Sequence, residues 1–252
     1  MIGSIIGDIA GSRFRAGGSV PEDAELLAPG CTLTDGVLLT MSAAKAITEC
    51  EDQAQELPDQ AAFWLNEILS QYAEEDATAG GRDFACSIAG PCGLAAGSKE
   101  EAGSFARSIM SARLEDEEDA DLAADLAGMV ALAASGMSKE EIEQLFSSRS
   151  YTMAELLASR MDEATRNRLR NDTAACCLAA FLDGADFEDT VRKALVYSHG
   201  DPAVAAGAGA IGEAFFGVPE EIEDEAVTYL NPDFQDIIQE FDEYVLTLRV
   251  DS

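Results

Sequence analysis

The first twelve residues, Met-Ile-Gly-Ser-Ile-Ile-Gly-Asp-Ile-Ala-Gly-Ser, constrain the fold most. Ile2, Ile5, Ile6 and Ile9 recur at i, i+3, i+4 and i+7, the spacing of one helix face. Gly3, Gly7 and Gly11 would let a neighbouring element approach that helix closely. The rest of the chain has the same economy of side chain. Only 7% of its residues are aromatic, so a core must be built mainly from Ala, Leu, Ile and Val, which suits closely packed helices.

Helical periodicity returns from Asp35 to Cys50, where Val37, Leu38, Met41, Ala44 and Ile47 are apolar, and from Ala61 to Tyr72, with Phe63, Trp64, Ile68 and Leu69. It recurs over Leu122 to Ala134, Met153 to Ala158, Thr173 to Leu182, Phe187 to Tyr197, Ala203 to Phe216 and Phe234 to Leu248. Ser98-Lys99-Glu100-Glu101 and Ser138-Lys139-Glu140-Glu141 each place Glu three residues after Ser, a capping box that opens a helix. The acidic run Glu115 to Asp121 reads as a solvated helix start, because acids suit the helix dipole there. Arg13 to Gly30, with Gly17-Gly18, Pro21 and Pro29, is expected to be a long loop, a feature that is usually functional or mobile. Thr78 to Gly97 is Gly-rich, contains Pro91, and is expected to break the helical pattern; Gly217-Val218-Pro219 reads as a stop. Sustained strand-type alternation is absent. The expected fold is all-α, with residues 1–252 forming a single compact domain of many helices.

Acidic residues number 48 against 16 basic ones, for a formal net charge of −32. Such a field repels phosphate backbones and anionic lipid, which argues against nucleic acid and membrane surfaces as partners. The charge reads as a solubility device suited to a salty environment. The six cysteines contain no CxxC pair and read as reduced, buried thiols. The opening Met1–Ala10 is apolar but carries Asp8 and lacks a basic stretch, and apolar runs elsewhere fall short of a membrane span. A cytoplasmic protein is expected.

Two stretches could carry chemistry. Thr34-Asp35-Gly36-Val37 and Ser198-His199-Gly200-Asp201-Pro202-Ala203 each turn from a polar loop into an apolar, small-residue helix. Two acidic helix starts facing one another could hold metal ions between them. The plainer reading makes Thr34 or Asp35 a helix N-cap, and Asp201 an N-cap with Pro202 at the first helical position. His199, the single histidine, could be a ligand or general base, but a loop histidine is more often a surface or capping residue. Cys176-Cys177 lie on an apolar helix and read as core, Asp172-Thr173 as a cap, and Gly207, Gly209 and Gly212 as sites of close helix packing. P-loop, G-x-S-x-G and zinc-ligand patterns are absent from the chain.

Several of these residues fit one family pattern. Ile5-Ile6-Gly7-Asp8-Ile9-Ala10-Gly11-Ser12-Arg13-Phe14, Cys31, Thr34-Asp35 and Lys45-Ala46 resemble the opening of the ADP-ribosylglycohydrolases. Asp186-Phe187-Glu188-Asp189, Arg192 and Gly212-Glu213-Ala214-Phe215-Phe216-Gly217-Val218-Pro219-Glu220-Glu221-Ile222 look like the same family's C-terminal signature. The resemblance spans nearly the whole chain. It implies an all-helical fold around a cleft with two magnesium ions, which family members use to hydrolyse the bond joining ADP-ribose to a protein side chain. The ligands implied are a Thr-Asp-Asp motif near the N-terminus and an Asp-x-Asp-Thr/Ser motif near the C-terminus. Magnesium wants octahedral oxygen, and a pair of ions needs several carboxylates to offset its charge.

The chain departs from that pattern at the ligands. Gly36 and Val37 follow Thr34-Asp35 where the second Asp and a Thr would stand; Gly200, Pro202 and Ala203 fall on the C-terminal ligand positions, and a one-residue shift restores only Asp201. Arg15 lies where relatives often carry Glu. The family's central Gly-Asn-Gly-x-x-Met-Arg stretch appears as Arg82-Asp83-Phe84-Ala85-Cys86-Ser87-Ile88. The expectation is a catalytically impaired homologue without the binuclear magnesium site and without a cofactor, retaining Thr34, Asp35 and Asp201 as remnants. Its cleft could still take an ADP-ribose-like small molecule, with Arg15 or Arg82 supplying a guanidinium in place of metal charge. One alternative is an active hydrolase using Asp35, Asp201 and His199 with one metal or none. Another is a scaffold that binds a protein partner.

The charge yields a direct test. Raising NaCl from about 10 mM to about 1 M shortens the screening length from about 30 Å to about 3 Å and should raise the melting temperature by relieving self-repulsion. A flat or falling melting temperature would mean the acids are spread too thinly to strain the fold.

Overall fold

The computed structural model describes residues 1–14, 20–53, 55–73, 80–113, 116–146 and 172–250, and among them it contains twelve α-helices and no strand. In chain order these are α1 (Ile2–Ser12), α2 (Asp35–Thr48), α3 (Leu57–Tyr72), α4 (Gly81–Leu94), α5 (Lys99–Ser111) and α6 (Glu117–Ala134). They continue with α7 (Lys139–Phe146), α8 (Thr173–Asp183), α9 (Phe187–Ser198), α10 (Pro202–Phe216), α11 (Glu220–Val227) and α12 (Pro232–Val250). The all-α expectation holds, and one apolar core receives buried residues from every helix. Met153 to Ala158 lies outside the described residues.

α1 is the central helix: Ile2 to Gly11 are all buried. Its most extensive partner is α10, and the two run antiparallel with their backbones nearly touching. A Cβ at Gly7 would stand 2.1 Å from the Ala205 carbonyl oxygen, and one at Gly3 would stand 2.5 Å from that of Gly209. At Gly11 it would meet the Pro202 Cα at 2.5 Å. Glu213 of α10 ties the other end, its Oε2 accepting from the Gly3 amide at 2.9 Å and its Oε1 from the Met1 amine at 2.7 Å.

The Gly-rich stretch expected to interrupt the pattern is instead helix α4, packed on α6 and α2. Pro91 sits inside it and cannot donate to the Ser87 carbonyl one turn earlier. That carbonyl is satisfied by the Thr40 hydroxyl, which donates to it at 2.9 Å from α2. The glycines serve packing: a Cβ at Gly93 would stand 2.4 Å from Val130 Cβ. Helix α11 was not foreseen, because a stop precedes it and Ala226 is its single buried residue, too little apolar pattern to read.

Elsewhere the start signals read correctly. Ser138 and Glu141 form a reciprocal box, Oγ accepting from the Glu141 amide at 3.3 Å and Oε2 from the Ser138 amide at 3.0 Å. Ser98 caps the Glu101 amide at 3.1 Å, but Glu101 turns to the Gly97 amide instead of completing the box. Asp172 caps α8 through the Ala175 amide at 3.0 Å. Lysines cover the carbonyls at the C-terminal end of α8 and at its cap, Gly184. Lys139 Nζ donates to Phe181 and Gly184 at 2.6 Å each, and Lys193 Nζ donates to Asp183 at 2.6 Å.

The expected loop after α1 is not helical in its described part, yet it is anchored: Val20, Ala24, Leu26, Leu27 and Ala28 are buried, and Arg192 Nε donates to the Ala24 carbonyl at 3.1 Å. In α3, Phe63 is 54% exposed although it was counted with the apolar face; Ala61, Leu65 and Ile68 carry the burial. All six cysteines are buried free thiols. No described helix is long and apolar enough to cross a membrane.

The α1–α10 contact makes a sharp prediction. Gly7→Ala overpacks a backbone that cannot yield, which costs about 1–3 kcal/mol, a melting-temperature fall of about 2–12 °C. Gly103→Ala in α5, where a Cβ finds only ordinary contact with Ala124 at 3.5 Å, should stabilise by up to about 1 kcal/mol. Equal effects at the two positions, measured by thermal unfolding, would contradict this packing.

Candidate functional site

The starts of α2, α4 and α10 open onto one cleft of about 420 Å³, floored by α1 and edged by the α9–α10 turn. Thr34, Asp35, Arg82, His199 and Asp201, singled out from the sequence, all line it. Arg15 lies outside the described residues. Asp8, Asp83 and Ser87 line it as well.

Thr34 is the N-cap of α2, in extended conformation, its Oγ1 accepting from the Gly36 amide at 3.0 Å. The same hydroxyl donates to Asp8 Oδ2 at 2.5 Å, pinning the first turn of α2 to α1. Asp8 is only 3% exposed. Its role went unread in the sequence, though one signal was present: a carboxylate in an otherwise apolar helix must have a partner when buried. Gly36 rests directly on it, since a Cβ there would stand 2.5 Å from Asp8 Oδ1 and 3.1 Å from Ser87 Oγ. A side chain at this position would require the Asp8 carboxylate to shift.

Across the cleft, α9 ends on a left-handed pair. His199 adopts φ 62°, ψ 38°, and Gly200 adopts φ 85°. The Gly200 amide donates to the Leu195 carbonyl at 2.7 Å, closing the helix end. Histidine tolerates this region better than most residues, and here it is exposed at the rim. The chain then turns at Asp201, whose Oδ1 accepts from the Ala203 amide at 3.0 Å, with Pro202 opening α10. The capping readings of Thr34, His199 and Asp201 thus describe their local structure.

Arg82 joins the two sides. Its Nη1 donates to Asp201 Oδ2 at 2.7 Å and its Nη2 donates to Asp83 Oδ1 at 3.2 Å. Burial alone would lower the guanidinium's pKa, but the Asp201 carboxylate outweighs it and holds the group charged above its ordinary value. One turn further in, burial pushes the Cys86 thiol up despite Arg82, leaving it neutral and unreactive. Cys176 and Cys177 are likewise fully buried.

Three helix N-termini favour negative charge in the cleft, and four carboxylates (Asp8, Asp35, Asp83, Asp201) face the single cation Arg82 among its described lining residues. These residues do not fit a pair of magnesium ions. Both Asp201 oxygens and the Thr34 hydroxyl are already engaged, and Gly36, Gly200 and Pro202 offer no side-chain oxygen. No group of three His, Cys, Asp or Glu side chains among the described residues converges to hold a metal ion. Asp35 differs from its neighbours: no hydrogen bond or ion pair engages its carboxylate among the described residues.

Asp201 has two jobs that substitution can separate. Asp201→Asn keeps a capping oxygen and loses only a half-exposed ion pair, at about 0–1 kcal/mol. Asp201→Ala also loses the cap, adding about 1 kcal/mol, or a further melting-temperature fall of about 2–4 °C. Indistinguishable melting curves for the two variants would remove the capping role.

Compared with known proteins, the chain matches no protein-family model and no curated protein at significant similarity.

Proposed function

We propose that this protein is an ADP-ribosylglycohydrolase-type cleft protein that takes an ADP-ribose-like ligand without a binuclear magnesium centre and is impaired in hydrolysis. The observation that carries this reading is the Arg82–Asp201 ion pair at 2.7 Å, which puts a guanidinium between the two helix starts where the resemblance implies metal charge. Gly36 supports it from the other side, since a ligand side chain there would have to displace the Asp8 carboxylate that holds Thr34. Both Asp201 oxygens and the Thr34 hydroxyl, which a metal site would need, are engaged by caps, by Asp8 and by Arg82. Six buried free thiols support a reducing compartment, the cytoplasm.

A second reading rests on Asp35, a cleft carboxylate that no hydrogen bond or ion pair engages among the described residues. Asp35 would then act as an acid or base in a hydrolase working with one metal or none, with Asp201 and His199 beside it. That reading requires Asp35→Ala to abolish a turnover that the wild-type protein performs.

Calorimetric titration of the wild-type protein with ADP-ribose, with and without magnesium, separates these outcomes. Binding that is indifferent to magnesium is expected. It should also strengthen with added salt, because screening weakens repulsion of an anion by a chain of charge −32. Binding that requires magnesium would restore the metal-dependent enzyme, and none under either condition would move the function to a protein partner.

A further inference from the structure

His199 occupies a backbone region that the chain otherwise gives to glycine. Its φ of 62° is the single positive value outside glycine among the described residues, the others falling at Gly30, Gly81, Gly136, Gly200 and Gly217. The closure of α9 does not need its side chain. The His199 and Gly200 amides both donate to the Leu195 carbonyl, and a glycine at 199 would make the same bonds without the left-handed penalty. A residue held against its backbone preference at a cleft points to a contact made by its side chain. The chain's one histidine stands here, exposed on the wall of the cleft. The turn that carries it is fixed. Gly200 lies so close to α1 that a Cβ there would stand 2.1 Å from Phe14 Cβ, and Asp201-Pro202 commits the chain to α10 directly afterwards. Besides Arg82, which is shared between Asp201 and Asp83, His199 is the one described lining residue that can carry positive charge. The three helix N-termini favour an anion without fixing where it sits, and an imidazolium at the rim gives it a position.

We infer that His199 is a ligand-contacting residue of this cleft, donating from its imidazole to an anionic phosphate oxygen of the bound molecule. This rests on reading the cleft as a ligand site, and it adds the group that is recognised and the pH at which recognition is strongest. Histidine gains its proton as pH falls from about 8 to about 6, so a contact to a phosphate strengthens in that direction. The charged groups that line the cleft with it are Asp8 on α1, Asp35 on α2, Arg82 and Asp83 on α4, and Asp201 at the head of α10, with Arg13 over the Phe14 ring at 4.7 Å. Carboxylates and guanidinium groups ordinarily titrate outside this window. They are also common to wild type and to a variant at position 199, so comparing the two at each pH isolates the imidazole.

The test is calorimetric titration of ADP-ribose and of adenosine, which has no phosphate, into wild type, His199→Gly and His199→Asn at pH 6 and pH 8. Glycine and asparagine both accept the left-handed turn, so both variants should melt within about 2 °C of wild type or above it. At pH 6 each variant should bind ADP-ribose about tenfold more weakly than wild type, equivalent to about 1.4 kcal/mol, and at pH 8 the difference should shrink to about twofold or less. Adenosine should not distinguish the three proteins at either pH. Equal ADP-ribose affinity in wild type and variants, or a loss of the same size at both pH values, would overturn the inference and leave the reading of the cleft standing. A loss that adenosine shares, or one that comes with a fall in melting temperature in both variants, would overturn it as well, since His199 would then shape the turn and not touch phosphate. Absence of ADP-ribose binding by wild type at either pH would overturn both the inference and the reading of the cleft. Should His199→Gly not fold, His199→Asn alone faces the same outcomes.

Discussion

Everything at the cleft depends on two backbones meeting without side chains between them. Where Gly3, Gly7 and Gly11 of α1 lie against Gly209, Ala205 and Pro202 of α10, even one methyl group would collide with main-chain atoms. The contact cannot slide, because shifting either helix by a residue would drive a Cβ into the opposing carbonyls. It therefore sets the position of Asp8 on α1 relative to Asp201 at the head of α10. Asp8 in turn pins α2 through the Thr34 hydroxyl, and Asp201 reaches α4 through Arg82. A packing constraint is thereby converted into a site.

The electrostatics follow from that geometry. Three helix N-termini converge, and carboxylates stabilise each of them, so the cleft collects aspartates for reasons of capping and dipole as well as chemistry. Such a collection needs positive charge to balance it. In the proposed account, one guanidinium supplies it and divides itself between Asp201 and Asp83. A guanidinium is a weaker organiser than a metal ion: it donates in fixed directions, polarises oxygen little and activates no water. That difference is why the proposed function is retained binding with impaired hydrolysis.

Much of the architecture was legible because helix signals are local. The Ile2-Ile5-Ile6-Ile9 face, the Ser138 box and the Asp201-Pro202 start all lie within a few residues of what they determine. The errors came from signals that depend on distant partners. Pro91 stops a helix in isolation, but here the Thr40 hydroxyl from another helix satisfies the carbonyl it leaves open. The crowding at Gly36 is just as non-local: a side chain there would press on the Asp8 carboxylate and the Ser87 hydroxyl, which only the fold brings together. The part Asp8 plays cannot be read locally, since its partner Thr34 is contributed from 26 residues away. The convergence of Arg82 on Asp201 spans 119 residues and no local pattern announces it.

The account turns on whether this cleft can hold a pair of divalent ions, and crystals soaked in manganese chloride would answer that most directly. Manganese takes the same oxygen ligands as magnesium and is located by its anomalous scattering. The account predicts Arg82 still bound to Asp201 and no pair of anomalous peaks between the starts of α2 and α10. Two peaks about 3.5–4 Å apart, bridged by Asp35 and Asp201 with Arg82 swung aside, would contradict it and return a binuclear hydrolase centre.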